Sequence, residues 1–246
     1  NANLGFYFNE TYTEFDSATD AIKHFDLSYI GLDMFVERGG NNQKKFILKP
    51  KSEDYSPFEL RHASSGIQTT APLVAMVNYY AQAFDFKLAQ KRSIIDLLFE
   101  KNLTMQYRPE MELADMPRYV HIHIEEPELS LDPTSQIQLL NELVRLAFYA
   151  KVDDRQIGLV LATHSPYIAN SLNLLMKAHD CCTSIQGAHV AYDDLSVYQI
   201  ENGRVHCLKV KNMHYVNTDR LSEDINFIYD KYQELKSLQN EKSFGE

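Results

Sequence analysis

Residues 121–133 read HIHIEEPELSLDP and join the end of an apolar strand to four carboxylates. Apolar and polar residues alternate up to Ile124, and this period of two predicts a β-strand. Asp132 and Pro133 then predict a helix N-terminus, because Asp caps free N–H groups and Pro suits the first helical position. The stretch therefore predicts a strand, an acidic loop and a helix in succession.

A second strand and helix follow the first pair. The run IGLVLAT, residues 157–163, is apolar almost throughout, as expected of a parallel strand that is covered on both faces. His164 ends this strand, and Ser165-Pro166 repeats the pattern of a cap followed by proline. The succession of strand, helix, strand and helix predicts a βαβ unit. The predicted fold class is therefore α/β, with a mainly parallel sheet flanked by helices.

Changes of pattern divide the chain into three predicted parts. Residues 1–61 carry short β runs, beginning with Leu4–Phe8, and are expected to form the β-rich part of an incomplete N-terminal lobe. Residues 62–179 hold the core with the two strands described above. Residues 180–246 are expected to form a C-terminal β/α extension of the same domain.

Composition and charge limit the classes of function. A chain of 246 residues with 44% apolar residues can bury a sizeable core. The formal net charge of −10 argues against a surface that attracts nucleic acid as a whole, although a local basic patch could still bind DNA. The sequence has no apolar run long enough for a bilayer, no signal-peptide pattern and three cysteines without CxxC spacing. We expect a cytoplasmic protein that does not enter a membrane.

The acids after the first strand suit chemistry on a phosphate. Ligands of parallel sheets collect beyond the carboxyl ends of the strands, where the sequence places Glu125, Glu126 and His164. One carboxylate can hold Mg²⁺ while its neighbour deprotonates an attacking water. Adjacent strand residues point to opposite faces, so the two acids are expected to have different tasks. The competing interpretation is a solvated acidic loop and a hydrogen-bonded turn histidine.

Four short motifs in register resemble those of ABC-class ATPases. They are, in order, a signature loop, a Walker B strand, a D-loop and a switch-histidine loop: SSGIQ at 64–68, YVHIHIEEPE at 119–128, SLDP at 130–133 and ATHSP at 162–166. The EEPE form is similar to the AAA-type ATP-binding proteins grouped with SMC, RecF and OLD-family ATPases, many of which serve in bacterial phage defence. The resemblance covers about residues 58–178. It implies a P-loop NTPase fold of ABC-ATPase type, with ATP and Mg²⁺ as cofactors.

The resemblance implies a role for each matching acid and for the histidine. Glu125 stands at the position of the acid that associates with Mg²⁺, which is usually Asp. Glu126 stands at the position of the catalytic base that polarises water. Asp132 would lie at the seam of a head-to-tail homodimer, and His164 would contact the γ-phosphate.

The same resemblance gives the SSGIQ stretch a role across the dimer. Ser64, Ser65 and Gly66 would present a hydroxyl and backbone N–H groups to the γ-phosphate of ATP bound on the partner subunit. A glycine-containing loop at a helix N-terminus is a suitable anion site. The simpler interpretation of these residues is a plain helix cap.

A site of this class also needs a phosphate-cradling loop, GxxxxGK[ST], which this sequence lacks. The nearest stretch, GGNNQKK at 39–45, has neither the glycine spacing nor the Ser or Thr. In the family this loop lies upstream of all four motifs, so we expect it to precede Asn1. The separation of Gly66 from Glu126 exceeds that of compact transporter ATPases and predicts an inserted helical segment around Phe84–Pro117.

Three functions are compatible with these patterns. The first is an ATPase lobe that dimerises around two ATP·Mg²⁺ and drives a clamp or controls a partner effector, in phage defence or DNA maintenance. The second is a non-catalytic, ATPase-like module that binds a nuclease or DNA. The third, a metal-dependent nuclease using the glutamate cluster, is the least favoured, because such sites draw acids from several elements.

Overall fold

The computed structural model describes residues 4–101, 119–210, 213–219 and 223–243. The helices are α1 (Leu4–Ala21), α2 (Ser65–Gln82), α3 (Phe86–Glu100), α4 (Pro133–Val144), α5 (Pro166–Asp180) and α6 (Glu223–Ser243). The strands are β1 (His24–Leu27), β2 (Leu32–Arg38), β3 (Lys44–Pro50), β4 (Phe58–Glu59), β5 (Tyr119–Glu125), β6 (Gln156–Ala162), β7 (Tyr198–Glu201), β8 (Arg204–Cys207), β9 (Lys209–Val210) and β10 (Tyr215–Val216). Within these ranges no helix is long and apolar enough to cross a membrane.

The chain separates into two compact units. The first comprises the chain up to Thr163 together with Gln186–Ala188, and the second comprises His164–Ile185 and the chain from His189 onward. The expected division after residues 61 and 179 stays a prediction. Helix α3 falls in the predicted inserted segment, of which residues 102–117 lie outside the described residues.

Four strands of the first unit form an antiparallel sheet in the order β1-β2-β3-β4. β2 and β3 pair over their full lengths, and the turn between them carries Asn42 in the left-handed conformation, with φ 60°. The glycine- and asparagine-rich stretch at 39–42 predicts such a turn, because both residue types tolerate positive φ. Connections this short join antiparallel strands, since a parallel crossover needs a dozen residues or more.

β5 and β6 are the only parallel pair among the described strands. They pair from Tyr119 opposite Gln156 to Glu125 opposite Ala162. Helix α4 lies in the connection between them, so the predicted βαβ unit is confirmed. Its two strand ends bring Glu125 beside the last residue of β6.

The expected fold class, a mainly parallel sheet of the P-loop NTPase type, is wrong. The described strands form one four-stranded antiparallel sheet, two antiparallel pairs and the single parallel pair β5–β6. The parallel signal in the sequence came from two apolar strands, whereas the strands that pair antiparallel follow one another through connections too short for a parallel crossover. The fold is mixed α/β, with mostly small antiparallel sheets.

The predicted strand at Leu4–Phe8 is also wrong, because α1 runs through it. The later turns of α1 contact the antiparallel sheet, where the rings of Phe15 and Phe46 lie 5.0 Å apart. Lys44 Nζ donates to the Asp16 carboxylate at 2.7 Å. Tertiary contacts along a helix outweigh the strand preference of a short aromatic run.

The core of the first unit lies between the antiparallel sheet, α2 and α4. Its buried apolar side chains include Phe25, Leu27, Met34, Leu48, Val74, Val77, Leu139 and Leu143. Ile124, the last apolar residue of β5, is 7% exposed and belongs to the same cluster. Burial of a side chain of this size contributes about 1.5–3 kcal/mol. The strand that carries the acids is therefore anchored in the core.

The second unit is built around α5 and a β-hairpin. The Asn173 side chain donates to Val216 O at 2.9 Å and accepts from Val216 N at 2.7 Å, which ties α5 to β10. β7 and β8 pair antiparallel around a turn in which Asn202 and Gly203 are both left-handed, with φ 50° and 74°. Asn-Gly suits this two-residue turn, because both residues adopt positive φ at little cost.

Candidate phosphate and magnesium site

The acidic loop begins where β5 ends. Glu125, the last residue of the strand, is exposed and lies opposite Ala162. Glu126 has φ 46°, a left-handed conformation that costs a residue other than glycine roughly 1–2 kcal/mol. Its N–H donates to Ala162 O at 2.7 Å, which extends the parallel ladder one bond beyond the strand. The backbone of Glu126 therefore departs from strand geometry while β6 holds it in place.

Two backbone turns give the rest of the loop a defined shape. Leu129 N donates to Glu126 O and Leu131 N donates to Glu128 O, both at 3.0 Å. Ser130, inside the second turn, is also left-handed, with φ 61°. Left-handed residues that are neither glycine nor asparagine are uncommon, and such strain is a starting point for a functional hypothesis. Four carboxylates in this short loop create a negative potential that attracts a cation.

Asp132 ends the loop as the N-cap of α4, as predicted. Its carboxylate accepts hydrogen bonds from Thr134 N at 2.9 Å, Ser135 N at 3.2 Å and Ser135 Oγ at 2.5 Å. The hydrogen bond from the Ser135 hydroxyl, followed by those from the backbone, lowers the pKa of Asp132 below its ordinary value. These bonds fix the loop to the helix, and the expected role of Asp132 at a dimer seam stays a prediction.

The SSGIQ stretch forms the start of α2 in the same unit. Ser64 and Ser65 are exposed, whereas Gly66 is buried. A Cβ atom placed on Gly66 would lie 2.6 Å from Ser130 O and 2.8 Å from Leu131 Cδ2. Real Cβ atoms do not come this close to a backbone oxygen, so only glycine fits here. The structure thus brings the predicted signature-like loop into contact with the predicted D-loop residues.

His164 is described with the second unit, directly before α5. Its side chain is exposed, and the next residue, Ser165, caps the helix by accepting hydrogen bonds from Tyr167 N at 3.1 Å and Ile168 N at 3.3 Å. The helix start predicted at Ser165-Pro166 is therefore confirmed. The contact of His164 with a γ-phosphate stays a prediction.

Glu125 fits one kind of magnesium site. In the part of the chain that the structure describes, no three His, Cys, Asp or Glu side chains are arranged to hold a metal ion. Mg²⁺ at phosphate-transfer sites is held by one or two carboxylates, with waters and substrate phosphates completing the shell. An exposed carboxylate at a strand end suits that partial shell. A closed protein cage, as in structural metal sites, is not found in the described ranges.

The structure also reveals features that sequence reasoning missed. The contact of Gly66 with Ser130 and the left-handed backbone of Glu126 and Ser130 have no local sequence signal. A glycine in a helix start could serve a cap, an anion or a close contact equally well.

No protein-family model and no curated protein matches this chain. Function is therefore inferred from the residues at the end of β5 and from their geometry.

Proposed function

We propose that the protein takes part in ATP hydrolysis, with the acids at the end of β5 handling magnesium and water. The observation that carries the proposal is the conformation of Glu126, which is left-handed and bonded to Ala162 O at 2.7 Å. A strained residue that its surroundings hold firmly is characteristic of functional sites. The proposal rests on this local site and not on a large parallel sheet.

The two adjacent acids divide the chemistry between them. Glu125 holds Mg²⁺, which supplies charge neutralisation at the phosphates when it is bound. Glu126 orients a water and accepts its proton as the water oxygen bonds to the γ-phosphorus. The bond from the γ-phosphorus to the bridging oxygen breaks, and its electron pair leaves with ADP. Different backbone conformations at the two residues support two separate tasks.

The start of α2 belongs to the same proposal through a head-to-tail homodimer. Ser64 and Ser65 are exposed at the N-terminus of an 18-residue helix, where free N–H groups and the helix dipole favour a phosphate. In the dimer they face the γ-phosphate of ATP on the partner subunit. The contact of Gly66 with Ser130 links this surface to the loop that carries Glu126. Contact of the start of α2 with ATP on the partner subunit would thereby influence the acidic loop of the same chain.

The test is ATP turnover by the complete protein and by Glu126→Gln. Glutamine keeps the shape of the side chain but cannot accept the proton, so we expect kcat to fall by about 10²–10⁴-fold. The control is Glu53→Gln, which changes an exposed acid between β3 and β4 and should leave turnover unchanged. Dimerisation in the presence of ATP should persist in both variants. Equal turnover by Glu126→Gln and the unaltered protein would reject Glu126 as the base.

The alternative function is a non-catalytic module that binds a nuclease or DNA. It is supported by one observation, the absence of GxxxxGK[ST] from residues 1–246. In the ATPase proposal, a phosphate-cradling loop has to come from outside these residues. The alternative is favoured if the complete protein, with Mg²⁺ present, shows neither ATP binding nor turnover.

A further inference from the structure

The hairpin of the second unit has an apolar face that is open to solvent. Tyr198 pairs with Cys207 and Ile200 pairs with Val205, and alternation along the strands places all four side chains on one face. Tyr198 is 60%, Ile200 77% and Val205 66% exposed, and Cys207 is exposed as well. A two-stranded hairpin is marginally stable in water without packing on its apolar face. This hairpin face therefore needs a partner.

Helix α6 of the same unit has a matching apolar stripe. Ile228, Tyr232 and Leu235 are 68%, 60% and 65% exposed, and their spacing of four and three residues places them on one side of the helix. Among the side chains of α6 that the structure describes, only Gln233 is as much as half-buried. A helix with Asn, Ser and aromatic residues gains most of its stability from packing of such a stripe.

We propose that two copies of the chain exchange α6, so that the stripe of each copy packs on the hairpin face of the other copy. A helix stripe and a sheet face are the two apolar surfaces that pack together as layers. Both surfaces are exposed within one chain, so neither is covered by the other in the monomer. A reciprocal exchange covers both at once and closes with twofold symmetry.

The charge of α6 favours a protein partner over a lipid surface. The helix sequence contains five Asp or Glu and three Lys, a difference of 3 − 5 = −2. Helices that lie on anionic membranes carry an excess of Lys and Arg on their polar face. The helix is therefore suited to a protein surface.

The exposed area distinguishes the exchange from simple pairing of two α6 helices. The stripe and the hairpin face each offer three largely exposed side chains, so one stripe on one hairpin face covers six of them, and a reciprocal exchange, which makes this contact twice, covers twelve. Two paired stripes alone would cover six, half as many. Specific interfaces bury about 1,200–2,000 Å², so the larger contact made by the exchange is the better match.

The native Cys207 provides the test, because it lies on the proposed interface. In a background of Cys181→Ser and Cys182→Ser, which removes the other two exposed thiols, Ile228→Cys and Leu235→Cys each place a thiol on the stripe. We expect mild oxidation of the complete protein without nucleotide to give a disulfide-linked dimer with at least one of them. The dimer should disappear when Cys207→Ser is added.

Phe227→Cys is the control, since Phe227 is 62% exposed on α6 but lies outside the stripe. It should cross-link at least tenfold less than the better of the two stripe variants. Four results would overturn the exchange: a disulfide within one chain, a dimer that persists with Cys207→Ser, equal cross-linking by Phe227→Cys, or no cross-linking. The first would show that α6 folds onto its own hairpin, and the second that two α6 helices pair.

Sedimentation of the complete protein without nucleotide gives an independent measurement. Ile200→Glu places a charge in the centre of the hairpin face and should weaken dimerisation at least 100-fold, whereas Phe227→Glu should leave it unchanged. Equal effects of the two substitutions would contradict the proposal. ATP turnover is not used in either experiment, so a failure of the exchange leaves the proposed ATP hydrolysis untouched, and the reverse holds too.

Discussion

The antiparallel sheet β1–β4 and the parallel pair β5–β6 belong to the same unit but differ in the connections between their strands and in their burial. Neighbouring strands of the sheet are joined by short connections, and its central residues Met34 and Leu48 are 0% exposed. The parallel pair is joined through a helix, and Tyr119 and Val160 are each 46% exposed on its strands. The sheet supplies buried area, whereas the pair keeps its carboxyl end open and carries Glu125 there. Glu125 thus lies at the end of the strand pair whose two strands are further apart in the sequence and more exposed.

Deletion of a buried side chain in the sheet should have the largest effect on stability. Met34→Ala removes apolar contacts and leaves a cavity, so we expect the free energy of unfolding to fall by about 2–5 kcal/mol. Val160→Ala, on the half-open strand β6, should change it by less than about 1 kcal/mol. Urea unfolding of the complete protein measures both. Equal losses would mean that the outer side of β6 is covered as fully as the sheet.

The contact between α2 and the acidic loop should give the next largest effect. Gly66→Ala forces a Cβ atom into a space where Ser130 O would be 2.6 Å away, and backbone has to move. Overpacking of this kind costs about 1–3 kcal/mol of stability, and the displaced loop should also lower ATP turnover. Gly40→Ala, in the turn after β2, meets nothing within 4 Å and should be close to neutral. Similar unfolding midpoints for the two variants would show that the contact is loose.

The parts of this structure that could be predicted from the sequence are those with local signals. The alternation of apolar and polar residues predicts β5. Asp132 and Ser165 predict the starts of α4 and α5, because an N-cap side chain bonds to N–H groups only two or three residues away. The predicted fold class was wrong because strands pair with partners that can be far away in the sequence. Two strands that pair parallel therefore do not predict how the other strands pair. The left-handed backbone at Glu126 and Ser130 depends on the surrounding structure, since neither residue type prefers it.

Relief of the backbone strain at Glu126 should produce a smaller change in the free energy of unfolding, in the opposite direction. Glycine adopts φ 46° without a steric penalty, so Glu126→Gly should raise the free energy of unfolding by about 1 kcal/mol while abolishing turnover. Glu125→Gly is the control, because a glycine in strand geometry loses about 0.5–1 kcal/mol. Chemical unfolding of both variants measures the difference. A loss of stability in both would mean that Glu126 is unstrained and that its conformation is not held for function.

The smallest effect concerns acid stability at the cap of α4. The folded pKa of Asp132 lies below the ordinary 3.8, so its ionised form contributes stability above about pH 4 that is lost as the pH falls through the folded value. Asp132→Asn keeps a cap but does not titrate, so its unfolding midpoint should drop less than that of the unaltered protein between pH 5 and pH 3.

Asp26, in strand β1 of the antiparallel sheet, provides the comparison for the acid dependence at Asp132. Burial raises the pKa of Asp26, but the hydrogen bonds from Lys51 and Ser28 and the charge of Lys51 outweigh it, and the pKa is lowered. Salt screens an exposed ion pair more than hydrogen bonds from a neutral hydroxyl and the backbone, which hold Asp132. Molar salt should therefore shrink the effect of Asp26→Asn on the acid transition and leave that of Asp132→Asn nearly unchanged. If salt shrinks both equally, the Asp132 cap is held by long-range charge and not by Ser135.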